Sequence, residues 1–137
     1  VTNATYAATP ATIATKPEQL ARFARAMAMA AILTRENPRL AARYFMQGAK
    51  IPITPESLRT ETLIIEKIKD ALPGSDPLSK RIGYISPRAV DVYSHYLYDH
   101  HLAPAVLPAS ALVTNRFIAY ANDFDHAAFI ARVKAMR

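Results

Sequence analysis

Hydrophobic and polar positions recur along most of this chain at spacings of three and four, and no stretch alternates clearly as a strand would. Residues 16–50 predict two helices, KPEQLARFARAMAMAAILTREN and PRLAARYFMQGAK, broken at Asn37-Pro38. The first starts at Pro17, whose fixed φ suits the first helical position. Its centre, Ala26–Leu33, is apolar nearly all round and needs cover on most sides. The second is capped by Asn37, opens with Pro38 and is expected to stop at Gly48. Thr54-Pro55 repeats the start signal. The helix it opens is expected to reach about Leu72, with Leu58, Leu63, Ile64, Ile65, Ile68 and Leu72 as a broad apolar face. Its outer face, Glu61, Glu66, Lys67, Lys69 and Asp70, is mixed in sign. Pro73-Gly74-Ser75 breaks it, Asp76-Pro77 opens a short helical turn up to Ile82, and Ser86-Pro87 opens the helix PRAVDVYSHYLYDHHL. Beyond the turn-rich APAVLP, one helix is expected from Ser110 to about Asn122. A last one runs from Asp123 or Asp125 to the C-terminus on Phe124, Ala127, Phe129, Ile130 and Val133. Ile51-Pro52-Ile53 is too short and proline-interrupted for a strand. The pattern is that of an all-α chain.

Residues 1–15, VTNATYAATPATIAT, carry no charge and are rich in Ala and Thr, with a proline at 10. They read as an extended arm tied either to the chain's own body or to a neighbour. The layout expected is an arm (1–15), a helical hairpin (16–50) and a compact helical bundle (51–137). Asn3-Ala4-Thr5 matches the glycosylation sequon, a triplet common by chance. The start at Val1 fits either removal of a methionine or cleavage of a longer leader.

Charge changes the picture. The hairpin carries Lys16, Arg22, Arg25, Arg35, Arg39, Arg43 and Lys50 against only Glu18 and Glu36, a surplus of five in a chain whose net charge is +6. The rest of the molecule is nearly neutral. Such asymmetry points to a polyanion, and those seven residues are the candidate nucleic-acid contacts. Five of the seven are arginines, whose forks suit phosphates bidentately. With no cysteine, disulfides and cysteine-ligated zinc are excluded. The longest charge-free apolar run, Ala26–Leu33, is far short of the roughly 20 residues a membrane span needs. Nothing in the sequence reads on membrane contact otherwise. Few amides, no cysteine and ten prolines lean towards a chain selected for heat.

The richest polar cluster is Asp91, Tyr93, His95, Tyr96, Tyr98, Asp99, His100 and His101. Asp91, His95 and Asp99 fall near one helical face, but no second cluster completes a metal site and His126 stands alone. The plainer reading is a tyrosine-rich packing helix with polar tips, and the same residues suit phosphate contact or base stacking. There is no glycine-rich phosphate loop and no nucleophile context, so no enzyme, cofactor, metal or small-molecule substrate is expected. Ile85-Ser86-Pro87-Arg88-Ala89-Val90-Asp91-Val92 resembles the start of the recognition helix in LuxR-type helix-turn-helix domains. That resemblance implies a groove-facing Arg88, although Gly83-Tyr84 lengthens the turn and Pro77–Ile82 is short for a first helix.

As a whole, the basic hairpin hinged at Asn37-Pro38, the neutral arm before it and the helical bundle after it resemble in layout the major coat proteins of archaeal rod-shaped and filamentous DNA viruses. No specific motif carries the likeness. It implies a virion protein whose residues 16–50 wrap double-stranded DNA in A-form by non-specific phosphate contacts. Residues 51–137 would then form the outside, and 1–15 would lie on a neighbouring copy or a related coat chain. Two other readings stand beside it: a small accessory subunit of a large mitochondrial or cytoplasmic protein complex, and a helix-turn-helix regulator acting through Arg88.

Overall fold

Proline after a capping residue starts helix after helix. In a computed structural model, which describes residues 6–69 and 81–136, eight helices lie among the described residues and no strand does. They are α1 (Pro10–Thr15), α2 (Pro17–Glu36), α3 (Pro38–Gly48), α4 (Pro55–Ile68), α5 (Pro87–Asp99), α6 (Ala109–Leu112), α7 (Ile118–Ala121) and α8 (His126–Ala135). The first five begin with proline, where a missing N–H costs nothing. Four of these five are capped by side chains that accept backbone N–H groups: Thr9 from Thr12, Asn37 from Leu40, Thr54 from Ser57 and Ser86 from Ala89. Thr54 and Ser57 cap each other reciprocally. Asp125 caps α8 through the Ala128 N–H.

Helix α2 is central and packs on α1, α3, α7 and α8, while α3 packs on α4 and α5 on α6. The core has two centres. Ala28 and Ile32 of α2 meet Ile82, with Phe124, Phe129 and Ile130 around them. Ala41 and Ala42 of α3 meet Ile65 of α4, flanked by Leu33 and Leu58. The basic hairpin therefore shares its core with the bundle rather than standing apart from it.

Three asparagines fasten the loops. Asn37 accepts from the Leu40 N–H and donates Nδ2 to the carbonyls of Val133 (3.0 Å) and Met136 (3.1 Å), tying the end of α8 to the α2–α3 break. Asn115 exchanges two bonds with the Ile85 backbone, at 3.0 and 2.7 Å. Asn122 does the same with Ile82, at 3.0 and 3.1 Å. Each of the last two amides stands in for a strand partner and pairs a loop that has no ladder of its own.

Not every expectation is met. Residues 10–15 of the supposed extended arm are helical, because Thr9-Pro10 is the same cap-and-proline start used elsewhere, and α1 packs on α2. The single helix expected over Ser110–Asn122 is two short helices, because Val113 is extended and Asn115 is committed to Ile85. Helix α3 does stop at Gly48, and the left-handed residue that follows it is Lys50 (φ 56°). The Lys50 N–H donates to Gln47 O and the Ile51 N–H to Met46 O, the two bonds of a Schellman ending. Arg81–Gly83 is a turn, whereas the end expected for α4 at Leu72 and the helical turn at Asp76-Pro77 lie outside the described residues.

The core is small for so apolar a chain. Of eleven buried apolar residues among those described, five are alanine, so the burial free energy rests on few large side chains. Meanwhile Tyr44, Phe45, Ile51 and Ile53 around the end of α3, Leu63, Ile64 and Ile68 on α4, and Val92, Tyr93 and Tyr96 on α5 stay exposed.

Candidate nucleic-acid interface

The seven basic candidates do not form one stripe. Helix geometry separates Arg22 from the α2–α3 break by about 20 Å of α2 axis, at 1.5 Å per residue. Around that break, Arg39 and Arg43 of α3 are exposed one turn apart. Together they line a groove with Asn37, Leu40, Leu58 and Met136. Neither has an ion pair or hydrogen-bonded side-chain partner among the described residues. Their backbone is held from both ends, by the Asn37 cap and by the Schellman ending at Lys50, so the two guanidiniums project from a fixed rod. Lys50 is exposed at that ending. Its left-handed backbone costs an L-residue about 1 kcal/mol.

Arg25 is spent inside the molecule. Its Nε and Nη2 donate to the Tyr120 carbonyl (3.0 and 2.7 Å), its guanidinium lies 3.9 Å from the centre of the Tyr120 ring, and Asp123 stands 3.7 Å away. This fork fastens α2 to α7 and leaves little to offer a phosphate. Arg22 pairs with Glu18 one turn back at 3.2 Å, with both side chains exposed. Such a pair contributes about 0.3–0.5 kcal/mol and yields readily to a stronger anion. Arg35 is half-buried and has a partner of its own. Glu36 pairs with Lys134 of α8 at 3.0 Å, so the acidic residue beside Arg35 is neutralised from elsewhere. Lys16 is exposed in the joint between α1 and α2.

One basic residue outside the hairpin joins the picture. Arg116, exposed before α7, lines a second groove with Arg22, Glu18, Phe117 and Tyr120. A surplus counted along the sequence passed over it, because Arg116 sits in a nearly neutral segment and reaches Arg22 only through the packing of α7 on α2.

The polar cluster on α5 has structural work. Asp91 Oδ1 accepts the Ala109 N–H at 2.7 Å and the buried Ser94 hydroxyl accepts the Leu107 N–H at 2.9 Å, which fixes the chain entering α6. His95 and His100 each donate Nδ1 to the carbonyl four residues back. His126 is buried, stacked on Phe124 at 4.2 Å, with Nε2 donating to Asn122 O. No group of three His, Cys, Asp or Glu able to hold a metal occurs among the described residues. Arg88 is exposed in the first turn of α5, but the residues before it, Arg81–Gly83, form a turn, and the rest of a first recognition-domain helix would lie outside the described residues. No helix of the described residues is long and apolar enough to cross a membrane. The chain matches no protein-family model, no curated protein and no solved structure.

Proposed function

We propose that this chain is a structural nucleoprotein subunit, many copies of which pack helically around double-stranded DNA and bind it without regard to sequence. One observation carries the reading: the α3–α4 hairpin carries both an arginine pair with no acidic partner among the described residues and uncovered apolar side chains, Phe45, Leu63, Ile64 and Ile68. The first calls for a polyanion and the second for a protein neighbour. Within this reading Arg39 and Arg43 are the principal phosphate contacts, with Lys50, Lys16 and Arg22 around them, while Arg25 and Arg35 serve the fold. The partner protein is another copy or a related coat chain, and the compartment is a virion. The compartment is drawn from the resemblance of the sequence layout to archaeal rod-shaped and filamentous virus coat proteins.

The test is duplex binding with nuclease protection on the same assembly. Equal affinity for unrelated sequences, and a log–log salt slope of about −0.9 for each phosphate neutralised, are expected. An assembly free of nucleic acid, or binding confined to one sequence, would sink the reading. A second reading, an accessory subunit of a large protein complex, draws on the same apolar faces and on the internal use of Arg25; it predicts partners of different sequence and no affinity for DNA.

A further inference from the structure

We propose that the groove between the first turns of α2 and the start of α7 is a second phosphate-binding locus, with Arg22 and Arg116 as its two forks. This rests on the nucleic-acid reading above. The two arginines come from opposite ends of the sequence and converge on one groove whose floor is Phe117 and Tyr120. That floor is fixed: Arg25 chelates the Tyr120 carbonyl from α2 and covers the ring. The Arg116 guanidinium lies 5.0 Å from the centre of the Phe117 ring, which holds it at the groove. It has no acidic partner among the described residues, and Arg22 has only the exposed Glu18. Two guanidiniums against one carboxylate leave a positive surplus, which Lys16 beside the groove enlarges.

The spacing of the loci selects the ligand. About 20 Å of α2 separates this groove from the Arg39–Arg43 groove. A small anion or one acidic side chain fills a single locus. A duplex, with a charge for about every 1.7 Å of its axis, can extend from one locus to the other. The subunit therefore holds nucleic acid at two places, one from each end of α2, and the second is built partly by the C-terminal half of the chain.

The test uses the full chain, a labelled duplex and salt from about 50 to about 200 mM, read by fluorescence anisotropy. Arg116→Gln and Arg22→Gln should each lower the salt slope by about one and weaken binding about three- to tenfold at low salt, with an unchanged circular dichroism spectrum. Glu18→Gln removes the competing carboxylate and should tighten binding about two- to fivefold, a gain that misfolding cannot produce. If these variants bind as wild type while Arg39→Gln/Arg43→Gln lowers the slope by about two, the second locus is refuted and the nucleic-acid reading stands. If the wild-type chain has no affinity for the duplex across that range, both fall.

Discussion

Asn122 is where a single side chain does most to hold the fold. It is 2% exposed, its Oδ1 accepts the Ile82 N–H at 3.0 Å, and its Nδ2 donates to Ile82 O at 3.1 Å and Ile118 O at 2.9 Å. Asn122→Ala strands both polar groups of Ile82, itself buried, at a cost of about 1–3 kcal/mol each. The Ile118 carbonyl loses less, because it still receives the residue's own backbone N–H at 3.2 Å. The expected loss is about 3–5 kcal/mol, including the small void left by the amide. For a chain of this length that is a fall in midpoint of about 10–20 °C. Asn122→Asp keeps the acceptor but turns the donated bonds into contacts between a carboxylate and two carbonyls. It should be as damaging at neutral pH and should recover partly in acid, where a protonated carboxyl can donate again. Thermal and urea unfolding of the dissociated subunit, followed by far-ultraviolet circular dichroism, measures both. An alanine variant within about 1 kcal/mol of wild type would refute the reasoning that these bonds carry the Ile82 loop.

Three further outcomes follow from the same geometry. Lys50→Gly should raise stability by about 1 kcal/mol in urea titration, because glycine accepts the left-handed conformation freely, and should weaken duplex binding as a charge is lost. Arg25→Gln should lower stability by about 1–2 kcal/mol in urea titration through loss of its fork on Tyr120. Leu63→Lys/Ile64→Lys, both exposed on α4, should leave the unfolding midpoint within about 0.5 kcal/mol of wild type while abolishing assembly in sedimentation; intact assembly would show that this face is not an interface.

Much of the fold was legible because its helix starts are written locally. Asn37-Pro38, Thr54-Pro55 and Ser86-Pro87 each open a helix where the cap and the proline fall. Thr9-Pro10 is written the same way, and an uncharged Ala/Thr composition masked it. The stop of α3 at Gly48 falls where it was expected, but the left-handed residue that closes it is Lys50, because Ile51 pairs back with Met46. The break between α6 and α7 could not be read locally at all, since it depends on Asn115 meeting Ile85 across the fold. The basic site divides in the same way. The charge surplus on the hairpin was plain, and Arg39 and Arg43 stay exposed one turn apart with no ion pair among the described residues. The diversion of Arg25 to Tyr120 and the arrival of Arg116 beside Arg22 are tertiary facts that no count along the chain contains.

The central claim, that the chain coats duplex DNA through α3, is tested most directly by cryo-electron microscopy of the assembled particle at side-chain resolution. The account predicts a helical array around continuous duplex density, with Arg39 and Arg43 within hydrogen-bonding distance of phosphates and the Leu63–Ile64 face covered by a neighbouring copy. A discrete complex with no nucleic acid, and those two arginines turned to another protein chain, would contradict it.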